Sequence, residues 1–545
     1  SQIKALERIY RRRLGKDELI GRELARYMAT LSRDIGRQIG VLIDRAGRVV
    51  SVILGDEREI VIPILADYPL GRRALRGIRC IHTHLKDEPL SKDDLTDLAL
   101  LRLDAMVAIG VNEDATPSTI YTAHLRPLAP PETNGDTEGE LYEVLAPEPM
   151  STLEKNAIDF KEFITALEGE LGRITTTSTD DKRERAILVS VALKSSSEQA
   201  RSLKELEALA VTSDIVVLTS LSQRPKKLNP KYLMGTGKIK ELVIEALQRR
   251  ATLIVFNQEL SPTQLRELGN ITELKVIDRT QLILDIFAKR ALSKDGRVQV
   301  ELAQLKYLLP KLSGKGTTMS RLMGGIGGRG PGETKLEIDR RRVTERISRL
   351  EKELKHISKG RTERRRRRAE SGVPIISIVG YTNAGKSTLL NALTQSTTLA
   401  EDKLFATLDT ATRRLRFPRE RDAVITDTVG FIKNLPKDLM KAFSATLEEM
   451  QDADLLIHLV DVSDPDFEDH LETVDKILKE IGLSDIECLL VFNKADRLEG
   501  ELAENLATRH HALSVSATER ATLKALLKIL GDKLWPNEDE EEWSS

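Results

Sequence analysis

The 545-residue chain contains only two cysteines, Cys80 and Cys488. Two thiols cannot build a disulfide framework or a four-cysteine zinc module, and such a composition is typical of a reducing compartment. No apolar run approaches the roughly 18 residues that a membrane-spanning helix needs. The basic N-terminus lacks the apolar stretch of a secretory signal. We therefore expect a cytoplasmic protein without a membrane span.

Aromatic residues are also scarce, at 4% of the chain, so the hydrophobic cores must be built mainly from aliphatic side chains. Charged residues, in contrast, make up 31%, which is typical of a soluble globular protein and excludes a fibrous one. Because one hydrophobic core cannot organise a chain of this length, we expect roughly three to five domains.

The formal net charge of −1 hides a strong local asymmetry. Residues 321–368 hold 17 Lys and Arg against 7 Asp and Glu, a net charge of +10, and residues 364–368 are five consecutive arginines. Residues 538–542, in contrast, are all acidic. A basic segment beside a glycine-rich loop is typical of a nucleic-acid partner, although charge runs in general more often form a solvated helix face.

Apolar runs and linkers predict a multidomain α/β protein. Its segments are an α+β N-terminal extension at 1–148, a helical linker at 149–182, a small parallel α/β subdomain at 183–295, an antiparallel helical hairpin at 296–370, a second α/β domain at 371–535 and an acidic tail at 536–545. Within the extension, the pattern predicts strands near 39–43, 49–54, 59–65, 78–83, 105–111 and 119–125, and a helix over 91–103.

Two heptad seams predict the hairpin. They consist of Val298, Leu302, Leu305, Leu309 and Leu312, and of Val343, Ile347, Leu350, Leu354 and Ile357. Two such helices joined by a loop pack against each other, and the second would be roughly 54 Å long. The loop at 314–332 holds eight glycines in 19 residues, so it cannot pack a core. We predict that it lies against a rigid, phosphate-bearing partner, the alternative being a flexible surface connection.

A phosphate-binding motif follows the apolar run 375–379. Residues 380–387 read G-Y-T-N-A-G-K-S, which is the G-x-x-x-x-G-K-S pattern between a predicted strand and a predicted helix. In this motif Lys386 reaches the β- and γ-phosphates, and the Ser387 hydroxyl binds Mg²⁺. The predicted nucleotide contacts here are Asn383, Ala384, Gly385, Lys386, Ser387 and Thr388.

Three further strand ends favour GTP over ATP. Residues 427–430 read D-T-V-G, in which Asp427 acts on Mg²⁺ through water and the Gly430 N–H senses the γ-phosphate. Residues 493–496 read N-K-A-D, and the Asp496 carboxylate can accept hydrogen bonds from guanine N1–H and the 2-amino group together. Residues 514–517, S-V-S-A, end the last predicted strand and would contact guanine O6 through their backbone. The remaining predicted contacts to the guanine end are Asn493, Lys494, Ser516 and Ala517.

Residues 405–410, F-A-T-L-D-T, are a candidate first switch. Thr407 is the predicted ligand of the γ-phosphate and Mg²⁺, with Thr410 or Thr412 as alternatives, and it joins Lys386 and Gly430 as a catalytic residue. Phe431 occupies the position where Ras-type enzymes carry a water-orienting glutamine, so we expect slow intrinsic hydrolysis that a partner completes. Asn383 matches GTPases that bind K⁺ beside the phosphates, although asparagine also simply tolerates such a turn.

Beyond these motifs, residues 205–533 resemble the HflX GTPases. The matching blocks are residues 235–238 (G-T-G-K) with 241–242, and residues 260–264, 278–287, 299–305 and 324–334. The resemblance implies a monomeric GTPase that cycles between GTP and GDP, binds the large ribosomal subunit and splits or rescues stalled or idle ribosomes. It also implies that Arg321, Arg329 and Lys335, in or beside the hairpin loop, contact 23S-type rRNA. The N-terminal extension lies outside this resemblance.

The extension carries a separate pattern, because His82 and His84 end a predicted strand and Ser91 and Asp94 open a predicted helix. H-x-H followed by S-x-x-D resembles the JAMM zinc peptidases with an MPN-like fold. The resemblance implies that His82, His84 and Asp94 bind Zn²⁺, that Ser91 steadies the site, and that Glu57 or Glu59 is the general base. Leu85 replaces the usual proline, and the spacing to Ser91 is one residue short. A helix-capping pair is the alternative for Ser91 and Asp94.

These patterns leave three hypotheses open. The first is an enzyme whose GTP cycle times ribosome binding, and the second is an RNA or ribosome-assembly clamp whose nucleotide state serves only assembly. The third is a bifunctional protein with an N-terminal zinc peptidase. The G-T-G-K block at 235–238 could also hold a phosphate at a helix start, but a lone glycine loop is weak support. His458, on a core strand, is predicted to be structural.

Overall fold

The computed structural model describes a chain rich in both helices and strands. The residues that it describes are 2–63, 65, 67–68, 73–127, 141–152, 159–177, 183–193, 195–272, 274–312, 335–369, 372–394, 404–405, 411–417, 421–433, 435, 440, 448–499 and 501–536. Within these ranges, no helix is both long and apolar enough to cross a membrane.

The chain forms two compact units. The first comprises residues 1–187, 225–254 and 267–274, and the second comprises residues 188–224, 255–266 and 275–545. The N-terminal extension therefore lies in the first unit, whereas the phosphate-binding motif and both hairpin helices lie in the second.

A seven-stranded sheet forms the centre of the first unit. Its strands are β1 (Ile39–Asp44), β2 (Val49–Leu54), β3 (Ile78–His84), β4 (Met106–Val111), β5 (Pro117–Leu125), β6 (Tyr142–Val144) and β7 (Glu148–Pro149). The order is β2-β1-β3-β4-β5-β6, with β7 also paired to β5. Only β3 and β4 pair in parallel among these strands. Every residue of β1, β3 and β4 is buried, which explains the apolar runs of β1 and β4, whereas β3 also buries Arg79, His82, Thr83 and His84.

Helices cover this sheet. They are α1 (Gln2–Ile9), α2 (Arg22–Ile35), α3 (Lys92–Leu101) and α4 (Phe160–Thr177). The predicted helix over 91–103 and five of the six predicted strands are confirmed. The predicted strand at 59–65 is wrong for the residues that the structure describes there. Pro63 explains the error, because proline has no N–H to donate to a neighbouring strand.

The predicted small parallel subdomain contains a four-stranded sheet. Its strands are β8 (Arg185–Val191), β9 (Val216–Gln223), β10 (Leu253–Phe256) and β11 (Lys275–Asp278), in the order β11-β10-β8-β9. The helices that alternate with these strands are α5 (Ser196–Thr212), α6 (Thr236–Gln248), α7 (Pro262–Thr272) and α8 (Arg279–Arg290). Strand β11 runs directly into α8, so that Asp278 is the N-cap residue of the helix.

Both hairpin helices are present, as α9 (Lys294–Leu308) and α10 (Lys335–Ala369), with a 3₁₀ turn at Leu309–Leu312 after α9. Their contact is the predicted seam. Its buried members are Val298, Leu302, Leu312, Val343, Ile347 and Leu350, and Leu305, Leu309 and Leu354 pack against them. Ile357 is not part of this cluster. The glycine-rich loop lies outside the described residues.

The second α/β domain holds a six-stranded sheet in the order β13-β14-β12-β15-β16-β17. These strands are β12 (Ile375–Gly380), β13 (Ala411–Phe417), β14 (Arg421–Asp427), β15 (Leu455–Asp461), β16 (Cys488–Asn493) and β17 (Leu513–Ser514). All neighbours are parallel except β13 and β14. The accompanying helices are α11 (Lys386–Thr394), α12 (Phe467–Glu480), α13 (Leu502–His510) and α14 (Arg520–Leu534). The carboxyl ends of β12, β14 and β16 carry three of the four predicted motifs at one edge of the sheet, and the fourth begins at the end of β17.

Candidate functional site

The phosphate-binding loop connects β12 to α11. Asn383 and Gly385 both have positive φ, at 63° and 93°. A Cβ atom on Gly385 would lie 2.4 Å from Asn493 Nδ2, so only glycine fits between the loop and strand β16. Asn493 Nδ2 donates to the carbonyl oxygen of Ala384 at 2.8 Å. The N-K-x-D motif thus braces the phosphate loop directly.

Lys386 is buried at the start of α11. Its Nζ donates to the carbonyl oxygens of Gly380 and Tyr381, at 3.1 and 2.8 Å. Burial lowers the pKa of Lys386 to about 8, while the negative charge of Asp427 acts in the opposite direction. A buried ammonium held by loop carbonyls is ready to exchange these partners for phosphate oxygens.

Ser387 and Asp427 form a pair suited to a divalent cation. The Ser387 hydroxyl donates to Asp427 Oδ2 at 2.7 Å, and Asp427 is fully buried at the end of β14. Hard oxygen donors of this kind are what Mg²⁺ prefers, and Mg²⁺ usually binds protein through one or two such groups together with phosphates and water. Thr388 follows in the first turn of α11 and is half-buried.

The predicted guanine end is assembled from β16 and β17. The Ala517 N–H donates to Asn493 Oδ1 at 3.0 Å, so the last motif is tied to the N-K-x-D strand end. Lys494 Nζ contacts Asp461 Oδ2 at 2.7 Å and the Asn383 carbonyl oxygen at 2.9 Å. Ser516 is buried, whereas the Asp496 carboxylate is exposed and open to a base.

Residues after the D-x-x-G motif lie against the phosphate loop. The Thr382 N–H donates to the Phe431 carbonyl oxygen at 2.8 Å, and the Phe431 N–H donates to the Gly380 carbonyl oxygen at 3.1 Å. Phe431 is buried, and a Cβ atom on Gly430 would lie 3.1 Å from Lys386 Nζ. Gly430 is therefore close enough to respond to whatever binds that lysine.

Several predicted residues lie outside the described part of the chain. They are Thr407, Thr410, Arg321 and Arg329. Lys335 is the first residue of α10, and Thr412 lies on β13. The G-T-G-K block at 235–238 opens α6, where Lys238 forms an ion pair with Glu241 at 2.8 Å. His458 lies 3.3 Å from Asp475 and is buried, in agreement with a structural role.

Sequence reasoning missed a polar network around Tyr381, the second residue of the phosphate loop. Its hydroxyl donates to Glu205 of α5 and accepts from the Lys433 N–H at 2.9 Å. Its ring stacks on His470 with the centroids 3.9 Å apart. Burial, reinforced by the charge of Glu205, raises the pKa of Tyr381, so the hydroxyl stays protonated. Arg279, the first residue of α8, pairs with Glu205 at 2.7 Å. These residues are far apart in sequence. Tyr381 occupies a variable position of the phosphate-binding motif and Arg279 lies in the 278–287 block, but no local pattern links them.

The N-terminal extension contains a second candidate site, where β3 ends and α3 begins. His82 Nε2 lies 3.0 Å from His84 Nε2 and 3.2 Å from Asp94 Oδ1, and His84 Nε2 lies 3.5 Å from Asp94 Oδ2. All three side chains are buried, and they are the only group of three or more such ligands found among the described residues. A tetrahedral zinc site with bonds of about 2.05 Å has ligand atoms about 3.3 Å apart, which matches these distances.

Neighbouring groups orient this cluster. His84 Nδ1 lies 2.9 Å from the Glu88 carbonyl oxygen, an arrangement that leaves Nε2 as the lone-pair nitrogen. Ser91 donates to Asp94 Oδ2 from both its N–H and its hydroxyl, each at 2.7 Å, and also caps α3. The predicted capping pair is therefore confirmed. Burial raises the pKa of the Asp94 carboxyl group, but the adjacent His82, His84 and Ser91 outweigh burial and lower it.

The predicted general bases do not join this cluster. Glu57 and Glu59 are both exposed, and neither belongs to the group of converging ligands.

The second α/β domain belongs to the class of P-loop GTPases, which are enzymes that hydrolyse GTP. Three segments match family models: residues 200–288 match the GTP-binding GTPase N-terminal region, residues 290–368 match its middle region, and residues 375–494 match the 50S ribosome-binding GTPase domain.

Curated relatives define the family. The chain is 48% identical to the GTPase HflX of Caldanaerobacter subterraneus over 65% of its own length and 81% of the relative's, and 40% identical to the GTPase HflX of Escherichia coli over 65% and 84%. A GTP-binding protein of Sulfolobus solfataricus in complex with GDP is similar at 25% identity, with a TM-score of 0.37, over 65% of this chain and all of that one. The chain belongs to the HflX family of GTPases, and this resemblance is confirmed.

Proposed function

We propose that this GTPase binds the large ribosomal subunit and uses GTP hydrolysis to time its release, separating stalled or idle ribosomes. One observation carries the proposal. Helix α10 holds 15 Lys and Arg against 6 Asp and Glu, and it packs on α9 in the same compact unit as the nucleotide site. This basic helix of 35 residues follows the glycine-rich loop in the chain, and its positive charge is suited to binding a large, phosphate-bearing surface.

The proposed roles combine the motif chemistry with the described geometry, and that of Thr407 rests on the sequence alone. Lys386, with the loop amides, binds the phosphates, and Ser387 with Asp427 through water holds Mg²⁺, which would neutralise developing charge. Gly430 and Thr407 sense the γ-phosphate, and Asp496 with Ala517 selects guanine. Phe431 cannot orient water, so hydrolysis needs the ribosome or a K⁺ ion beside Asn383.

The proposal is tested by measuring GTP hydrolysis with and without purified large ribosomal subunits, in K⁺ and in Na⁺ buffer. We expect subunits to accelerate turnover, and K⁺ to do so only while Asn383 is present. Arg329→Ala and Arg321→Ala should weaken binding to the large ribosomal subunit. Lys204→Gln, which removes an exposed positive charge on α5, is the matched control. Turnover that subunits leave unchanged, with binding intact, would favour the assembly clamp instead.

We also propose a zinc ion at His82, His84 and Asp94, as a second function favoured by the tetrahedral spacing of their ligand atoms. Zinc there would act as a structural or Lewis-acid centre. Metal analysis of the purified chain should give about one zinc per chain, and His82→Ala should abolish it. His356→Ala, which removes an exposed histidine, should retain the metal. Absence of zinc after refolding with added zinc would rule the site out, and zinc without peptide hydrolysis would exclude the peptidase.

A further inference from the structure

Two consecutive residues at the junction of β11 and α8, Asp278 and Arg279, are both buried and both charged. Asp278 holds the base of the hairpin. Its Oδ2 accepts from Lys311 Nζ at 2.8 Å, from the Tyr307 hydroxyl and from the Leu260 N–H at 3.0 Å. Lys311 and Tyr307 belong to the end of α9 and the turn that follows it.

Arg279 holds the nucleotide side of the same junction. One terminal nitrogen donates both to Glu205 at 2.7 Å and to the Lys433 carbonyl oxygen at 2.9 Å, and the other lies 3.4 Å from Asn257 Oδ1. Lys433 follows Gly430 by three residues. Because the Lys433 N–H also donates to the Tyr381 hydroxyl, one peptide segment is held from both sides.

We propose that Asp278 and Arg279 are positioning residues that couple the γ-phosphate-sensing segment to the hairpin. The proposal rests on the role given above to Gly430. When that segment moves toward a γ-phosphate, the Lys433 carbonyl must move relative to Arg279. Arg279 is rigidly joined along the chain to Asp278, and Asp278 holds Lys311 and Tyr307. A displacement of the Lys433 carbonyl group would therefore change the contacts that Asp278 makes with Lys311 and Tyr307.

The chemistry of the pair makes this coupling specific. A guanidinium presents several N–H groups in a fixed plane, so Arg279 can bind a carboxylate and a carbonyl at once, whereas a lysine offers a compact point charge. The Glu205–Arg279 and Asp278–Lys311 pairs are both largely desolvated. Breaking either costs more than breaking a surface pair, and this favours discrete arrangements over gradual deformation.

The test needs no ribosome. Hydrogen–deuterium exchange of the full chain is measured at amides 300–312, with saturating GDP and with a saturating non-hydrolysable GTP analogue. We expect the two states to differ by about fivefold or more in exchange rate, the lower end of ordinary site-to-site coupling. Arg279→Lys should abolish the difference. Tyr381→Phe, which keeps the ring that stacks on His470, should do the same.

Lys533→Gln is the control, because Lys533 of α14 pairs with Glu487, a contact that shares no residue with the network around Arg279. It should retain the full difference. The inference is wrong if the wild-type chain shows no difference, if both network variants keep it, or if Lys533→Gln loses it equally. Ribosome-stimulated hydrolysis is measured separately, so a failure of this coupling and a failure of the proposed function can be told apart.

Discussion

Nucleotide binding should take up a proton near pH 8, because Lys386 must be charged to bind phosphate. Burial lowers the pKa of this lysine to about 8 in the nucleotide-free chain. Bound phosphates stabilise the charged form and raise the pKa again. The apparent dissociation constant for GDP should then increase by the factor 1 + 10^(pH − pKa). From pH 7.0 to 8.5, this predicts a loss of affinity of roughly fourfold.

Folding stability should depend on pH in the opposite direction to GDP affinity. The unfolded lysine titrates near 10.5, so between about pH 8 and 10.5 the unfolded state binds more protons than the nucleotide-free folded state. The nucleotide-free protein should therefore gain stability as the pH rises through this window. Saturating GDP should remove that gain, because the bound lysine stays protonated.

Two assays check the proton linkage. Titrations with a fluorescent GDP analogue at pH 7.0 to 8.5 and constant ionic strength give the affinity, and the upper limit keeps guanine N1 protonated. Calorimetry at pH 8.0 in two buffers of different ionisation enthalpy should show uptake of about half a proton per GDP. Affinity that is independent of pH, with equal heats in both buffers, would refute the reasoning.

Three further predictions concern other parts of the chain. Leu350→Ala, at a fully buried position in the hairpin seam, should cost about 2–5 kcal/mol locally, and faster hydrogen exchange in α9 and α10 measures it; unchanged exchange would contradict the seam. Asp496→Asn should weaken GTP binding about 100-fold, since one charge-assisted pair of hydrogen bonds is lost; an equal loss for ATP, measured in parallel, would exclude guanine recognition. Arg45 binds Asp104 and Glu168, both at 2.6 Å, so Arg45→Met should lower the free energy of unfolding of the first unit by about 2 kcal/mol in urea. This loss is smaller than for a fully buried ion pair because Arg45 is one-third exposed. An unchanged urea midpoint would show that the two ion pairs do not stabilise the fold.

The nucleotide site could be predicted from sequence because each motif is short and sits at a strand end. The loops at 380–387 and 427–430 are specified by their local sequence alone. The parallel pairing of β12 and β14 then brings the two loops together. The convergence of His82 with Asp94 followed for the same reason, as a strand end faces the start of the next helix. The strand expected at 59–65 does not form in the described residues because Pro63 interrupts the apolar run and has no N–H for a neighbouring strand.

The network around Tyr381 could not be predicted in this way. Tyr381 and Glu205 are 176 positions apart, and Arg279 and Glu205 are 74 apart. No local pattern specifies that Arg279 of α8 will contact Glu205 of α5. Nor does it specify that both will lie beside Lys433, which comes much later in the sequence. Only the tertiary arrangement selects Arg279 from the many arginines of this chain.

The capping role of Asp94 and its proposed metal role bear on how this site would change in evolution. Ser91 and Asp94 start helix α3, so selection for folding alone would keep both even in a lineage that never met a metal. The two buried histidines in contact have no comparable duty, and an apolar pair would serve the core at least as well. Among descendants of this chain, loss of His82 or His84 beside an intact Ser91 would therefore mark loss of the proposed zinc site, whereas the helix cap would stay unchanged.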